Sequence, residues 1–313
     1  MKYALKKIVT IASTLLVISL LTFGVFQILP GNPVDIILGV DADPLQVKAL
    51  TQQLGLDLPL GQRYISWITG ILKGDMGNSI RYQVPVEQLL KQSLPVTISL
   101  TLMSMLITLI VVVPVSIFLA KHNNKKVGVL ISFIMQIGIA IPSFWVGILL
   151  VMFFSVTLHW LPSGDYSPLS QGFLNYIRSL LLPSLSIAIG SSAVVIRYLK
   201  TTILDNMNMD YVRTARSKGV ARNKVLYKHV LRNALLPTIT ILGMLIVNAL
   251  GGSIIVENVF NLPGTGHLVI TGVANRDFPL VQSVVFYLAA TVVFINLITD
   301  LLYAIIDPRI RLT

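Results

Sequence analysis

The chain has 313 residues, of which 54% are hydrophobic and 12% charged, with no cysteine and a formal net charge of +11; its mean hydropathy is +0.80. Soluble domains carry about 25% charged residues, so a water-soluble globule of this length has nowhere to place this much apolar surface, and a soluble enzyme and a disordered chain are both excluded. The missing cysteine excludes a disulfide framework, a thiolate metal site and a Cys nucleophile.

A membrane-spanning helix needs about 20 mostly apolar residues. Six segments qualify in the sequence. They are Val9 to Leu29, which holds no charge; Leu94 to Leu119; Val127 to Leu158, interrupted by Pro142; Leu182 to Ile196; Leu235 to Val256; and Leu280 to Ile306. The fourth is the weakest, being short and containing Gly190, Ser191 and Ser192. The first is longer than a signal-peptide apolar core and has no small-x-small site before Pro30, so it is expected to be retained. The expected fold is an all-α polytopic membrane protein with six transmembrane helices and both termini on one side.

Orientation follows from Lys and Arg near the span ends. Of the 24 basic residues, 17 lie on the flanks that hold both termini, Lys121 to Lys126 and the loop from Arg197 to Arg232; the opposite flanks hold seven. Both termini and that loop are therefore expected to be cytoplasmic. The outer segments add Asp35, Asp41, Asp43, Asp57, Asp75, Glu87, Asp165 and Asp277 and come out near neutral. This asymmetry accounts for the high pI without nucleic acid.

Between the first two spans, Asp43 can cap a helix that Pro44 begins and Gly55 ends. Val47, Leu50 and Leu54 share one face of it. A second short helix would gather Tyr64, Trp67, Ile68 and Ile71 before Gly74. This outer segment reads equally as a platform for an external partner and as a structural cap on the spans.

The longest inner segment holds nine basic residues against Asp205 and Asp210. Good helix formers lie on both sides of Gly219, and glycine takes the left-handed conformation that ends a helix. Two short helices joined at a bend are expected, a shape that can dock in a groove of another protein. From charge alone, a polybasic loop held at an anionic leaflet is the competing reading.

The residue pattern decides between them. Ala215, Gly219 four residues on, and then Leu236-Pro237 resemble the "EAA" loop of permease subunits of binding-protein-dependent ABC importers. Arg213 and Thr214 replace the usual Glu and Ala, and the Leu-Pro pair lies about five residues late. Both departures are usual in the dipeptide/oligopeptide/nickel branch, whose loop "DYVRTARSKGV" and "HVLRNALLPT" resemble. Pro30-Gly31-Asn32-Pro33, "LGLDLPLGQRY" at 54–64, "GDMGNS" at 74–79, "IPSFW" at 141–145 and "GGSIIVENVFNLPGTG" at 251–266 fit the same branch, so the resemblance covers essentially the whole chain. The long outer segment after the first span resembles the B-type subunit.

The resemblance implies the type I ABC importer permease fold, in a bacterial inner or cytoplasmic membrane. It divides the chain into an N-terminal tail and first helix (1–29), an external segment (30–93), a transmembrane type-1 domain (94–306) including the coupling loop 197–235, and a cytoplasmic tail (307–313). It implies a C-type permease partner, two cytosolic ATPase subunits and an external substrate-binding protein. The ATPase-coupling residues would be Asp210, Tyr211, Arg213, Thr214, Ala215, Arg216, Ser217, Lys218 and Gly219. The chain itself has no G-x-x-x-x-G-K-[ST] phosphate cradle, so ATP and Mg belong to partner subunits, and no cofactor, metal or catalytic residue is expected here. The cargo would be a di- or oligopeptide, with nickel or a metal chelate as the alternative.

Inside the spans, Pro142 removes an amide donor and clashes with the carbonyl at Gly138, so a kink is expected; it reads as packing or as a bend lining a pathway, together with Ser143. Asn248, Gly251, Gly252 and Glu257 are candidates for pathway or hinge, with Glu257 placed either at membrane depth, where an ionisable group is functional by default, or at the interface. Helix–helix hydrogen bonding is expected of most polar residues in the spans, Asn296 and Asp300 included. His122, His159, His229 and His267 are scattered and form no metal motif. A self-sufficient secondary transporter or channel would show inverted repeats or buried acid chains, and a membrane hydrolase a nucleophile–base pair; neither pattern is evident.

Overall fold

Where no water is available, a backbone must satisfy its own amides, and long apolar segments fold as helices. The structure, a computed structural model, describes residues 2–28, 34, 38–39, 42–53, 55–123 and 125–306. The Pro30-Gly31-Asn32-Pro33 motif, Asp35, Asp41, Leu54 and the tail 307–313 lie outside them. Among the described residues there is no strand, only an isolated antiparallel bridge between Asn78 and Pro85.

The helices are α1 (Lys2–Ile28), α2 (Pro44–Gln53), α3 (Leu60–Lys73), α4 (Val86–Lys121), α5 (Lys126–Ala140), α6 (Ser143–Leu150), α7 (Phe173–Met207), α8 (Asp210–Ser217), α9 (Leu231–Val259), α10 (Thr265–Ala274) and α11 (Phe278–Ile306). α6 continues as a π-helical stretch, Val151–Thr157. α9 is entered without a break from Arg222–Lys224 and π-helical Val225–Val230. Four helical stretches, Lys6–Ile28, Val86–Lys121, Phe173–Met207 and Phe278–Leu301, are long and apolar enough to cross a membrane; counting two bent pairs as one span each gives up to six.

Contacts divide the chain into two units, 1–96 with 263–294, and 97–262 with 295–312. In the first unit, α3 lies against α1 through aromatic rings. Phe23 meets Tyr64 edge-on at 5.4 Å and Trp67 at 6.0 Å, and Trp67 meets Phe286 of α11 edge-on at 5.5 Å. The hydroxyls of Ser19 and Tyr64 bond at 2.7 Å. Gly74 ends α3 at φ +88, in the left-handed region that glycine tolerates. Val86, Leu90, Leu268, Leu280 and Val284 form the apolar core around α4, α10 and α11.

Asp277 pins this unit together. It is fully buried. Its Oδ2 accepts from Ser79 Oγ at 2.5 Å and Arg81 N at 3.1 Å, and its Oδ1 from Ile80 N at 3.1 Å and Leu280 N at 3.3 Å. It thus caps α11 and holds the loop 79–81 in one stroke.

In the second unit, α7 is the central helix, packed against α5, α6 and α9. It is also the most enclosed candidate span, with 67% of its apolar window buried against 17% to 33% for the other three unbroken ones. The sequence marked this segment as weakest, and it is instead the longest-buried. A helix walled by protein needs small side chains for close approach rather than lipid-facing bulk, which is why Gly190, Ser191 and Ser192 are tolerated. α7 starts at Phe173, before Pro183, and at 35 residues runs ~52 Å at 1.5 Å per residue. The bilayer core takes up ~30 Å of that, so the helix projects well beyond it.

The third expected span departs further. At Pro142 the axis turns by 106°, a break rather than a kink. Pro142 sits in extended backbone, φ −60 and ψ 140, and cannot donate to the preceding turn. Gly147 then lets α6 close on Phe260: an added Cβ would fall 2.8 Å from its ring. The arm α5, 15 residues or ~22 Å long, is too short to cross by itself.

Candidate functional site: a basic elbow rooted in the bundle

α7 ends in a turn, with Asn208 N donating to Asp205 O at 3.1 Å and Met209 N to Asn206 O at 3.3 Å. α8 follows. Its eight residues bury a single side chain, Val212, which is 0% exposed. Tyr211, Ala215 and Val220 flank it, packed on the apolar cluster that includes Leu199, Ile203, Val225 and Val230. The Tyr211 hydroxyl donates to Asn206 Oδ1 at 2.9 Å. Positions 211, 212 and 215 share one helical face, so the opposite face turns outward. There Arg213, Thr214, Arg216, Ser217, Lys218 and Gly219 are exposed.

Asp210 lies in the first turn, where a carboxylate suits the positive end of the helix, and pairs loosely with Arg213 at 4.0 Å with both side chains exposed. Gly219 closes the helix at φ +77. Gly219 N donates to Arg216 O at 2.9 Å and Val220 N to Ala215 O at 3.2 Å, the left-handed termination expected of a glycine there. Beyond it, Lys121 at the end of α4 braces the chain, donating to Asn223 Oδ1 at 3.3 Å and lying 5.0 Å over the Tyr227 ring. A cavity of about 220 Å³ opens between Lys121, His122, Met207, Arg216 and Arg222.

The expected pair of short helices is half right. α8 is short, but its partner is the first stretch of a helix that runs on through Pro237 into α9. The reason is packing: Val225, Leu226, Val230 and Ala234 are all buried, so nothing releases the chain there. A push on the elbow therefore acts on a helix that runs unbroken from Arg222 to Thr238, beyond which the axis turns by 50° into Gly243–Val259. What the elbow offers is a cationic, outward-facing surface on a short helix that Gly219 closes.

The other candidates do not share one environment. Asn248 and Gly251 are exposed, Pro142 is exposed, and Ser143 and Gly252 are half-buried. A Cβ added at Gly251 or Gly252 would meet nothing within 4 Å, so the pair makes no close approach to another of the described residues. Glu257 is fully buried rather than interfacial, and its Oε1 accepts from Thr97 Oγ1 at 2.8 Å. Asn296, expected to bond between helices, is exposed; interhelical bonds are made by Thr97 to Glu257 and by Ser116, which donates to Ile196 O at 3.4 Å. Asp277 and helix α10 were not foreseen. An Asp just before Phe278-Pro279 is a helix-start signal that marks the first; α10, rich in Gly and Thr, carries no comparable mark.

Residues 112–312 match the family described as binding-protein-dependent transport system inner membrane component, and residues 1–101 match the N-terminal region of such components. The oligopeptide transport system permease protein AppB of Bacillus subtilis is 38% identical over 312 residues, 99% of each chain. A putative peptide transport system permease protein of Brucella abortus is 37% identical over 98% of each chain, and a probable peptide ABC transporter permease of Sinorhizobium fredii is 33% identical over 99%. Among solved structures, the inward-facing MetNI methionine ABC transporter aligns with 70% of this chain and 97% of its own at a TM-score of 0.59 and 16% identity, a likeness of fold. Taken with the multi-pass helical architecture and the full-length match, these place the chain in the family of binding-protein-dependent transport system inner membrane components.

Proposed function

We propose that this chain is the membrane permease subunit of an ATP-driven importer that takes up peptides, and that α8 and Gly219 receive the motion of separate ATPase subunits. The observation that carries the coupling role is the elbow: a basic helix exposed on one face, anchored at Val212 and joined at Gly219 to the helical stretch Arg222–Thr238. The peptide assignment is supported by full-length relatives whose names specify peptide transport.

In this reading the termini and the elbow are cytoplasmic, a second permease of the C type completes the pathway, and an external binding protein delivers the cargo. The chain is not itself an enzyme; ATP and Mg sit on the partners. A ligand shifts a conformational equilibrium only through different affinity for its two states, so the elbow must dock differently when the ATPases close. Asp210, Tyr211, Arg213, Thr214, Ala215, Arg216, Ser217, Lys218 and Gly219 form that dock. Pro142 with Ser143, and Asn248 with Gly251 and Gly252, are the places where the bundle can bend or face the second permease.

The test is reconstitution in liposomes with and without partners. The assembled complex should import labelled peptide with ATP, and reversing Arg213, Arg216 and Lys218 to Glu should abolish ATPase co-purification while leaving the membrane subunits paired. Transport by this chain alone, or full activity of the triple reversal, would overturn the reading.

A further inference from the structure

The first unit holds a cavity that the elbow does not use. It measures about 520 Å³ and is walled by Phe23 and Phe26 of α1, Trp67 of α3 and Phe278 of α11, a size and lining typical of small-molecule sites. Three of the residues that line it carry a polar side-chain group without a protein partner. The Trp67 indole Nε1 and the Gln282 amide nitrogen are buried and make no hydrogen bond, and Gln282 is only 8% exposed. Arg63 borders the same space; its backbone N donates to Pro59 O at 3.1 Å, while its guanidinium makes no ion pair or hydrogen bond among the described residues. Partial burial pushes its pKa below the ordinary value, since desolvation disfavours the charged form.

Buried donors are costly to leave unpaired. Indole N–H and guanidinium have only donors to offer, so their natural complement is an oxyanion. The planar guanidinium fork matches phosphate well. The exposed Asp75 carboxylate at the rim is engaged, accepting from Gly77 N at 2.9 Å; it would suit an ammonium beside the phosphate. The aromatic walls ask for an apolar body on the same molecule. Beside them the outer surface of α1 is apolar, with Val25 54% and Ile28 84% exposed, as a lipid-facing helix should be. Indole rings favour the depth where headgroup and chain meet.

We propose that this cavity binds the phosphate headgroup of a membrane phospholipid, with Arg63, Trp67 and Gln282 as donors and Phe23 and Phe26 against the start of the chains. The lipid joins α3 to α1 and α11 and stabilises the outer segment by mass action, as any ligand of the folded state does.

Native mass spectrometry of the assembled, delipidated importer tests this, titrated with phosphatidylethanolamine, with a diacylglycerol of the same chains, or with inorganic phosphate. The expected result is saturable binding of one phospholipid per copy of this chain, at least tenfold weaker for diacylglycerol, weakened tenfold or more by Arg63→Gln and Gln282→Leu, and less by Arg63→Lys. Should those variants fail to assemble, hydrogen exchange of residues 60–73 in the unmodified complex must slow on adding phospholipid and not on adding diacylglycerol. Equal binding of diacylglycerol, undiminished binding by Arg63→Gln, or no protection of α3 would overturn the proposal. Full protection by inorganic phosphate alone would overturn its lipid assignment and identify a free-anion site.

Discussion

Gly219 can be tested with a series that separates backbone strain from bulk. Its φ is +77, and a Cβ built there meets nothing within 4 Å. Among the described residues the penalty for a Cβ there is therefore the left-handed conformation itself, about 1–2 kcal/mol. That shifts the population of the closed helix end by roughly 5- to 30-fold, at the expense of the bonds from Gly219 N to Arg216 O and Val220 N to Ala215 O. Asn is larger than Ala yet tolerates this region better. The expected order of damage is thus Asn, then Ala, then Val, with Ala weakening ATPase docking by roughly 5- to 30-fold. The assay is titration of the purified permease pair with its ATPase, followed by ATPase stimulation in liposomes. Wild-type docking across all three variants, or Asn doing more harm than Ala, would refute the reasoning.

Asp277→Ala removes the acceptor of two backbone amides of the loop 79–81 and the cap of α11. At about 1–3 kcal/mol per orphaned buried donor, exchange at the Ile80 and Arg81 amides should rise by roughly one to two orders of magnitude each, read by hydrogen–deuterium exchange. Asp277→Asn should fall between, because one oxygen is kept while an amide N–H confronts donors. The Thr97–Glu257 bond joins two helices; interhelical bonds in membranes average about 0.6 kcal/mol and reach about 1.7. A double-mutant cycle of Thr97→Val and Glu257→Gln, followed by thermal unfolding, should return a coupling in that range. Gly147→Ala should destabilise by about 1–3 kcal/mol through overpacking against Phe260, and Phe260→Leu in the same chain should restore part of it.

Much of the architecture was legible in the residues because its causes are local. A span is a matter of apolar length, and Gly74 and Gly219 signal helix ends because only glycine takes that conformation freely. The amphipathic α3 was readable from Tyr64, Trp67, Ile68 and Ile71. The elbow's residues were readable for the same reason: charge, glycine and periodicity are near neighbours in the chain.

What required the tertiary structure was every feature set by a distant partner. Hydropathy ranks α7 last since it measures fitness for lipid, while this helix is surrounded by protein. The close approach of Gly147 to Phe260, beyond the 106° turn at Pro142, joins residues more than a hundred positions apart. The cap that Asp277 gives to α11 also holds residues 79–81, a bond no local pattern can announce. The amino-acid order thus determined which segments enter the membrane and where helices stop; the packing of remote side chains decided which helix lies at the centre, how sharply the third span breaks, and which polar groups find one another.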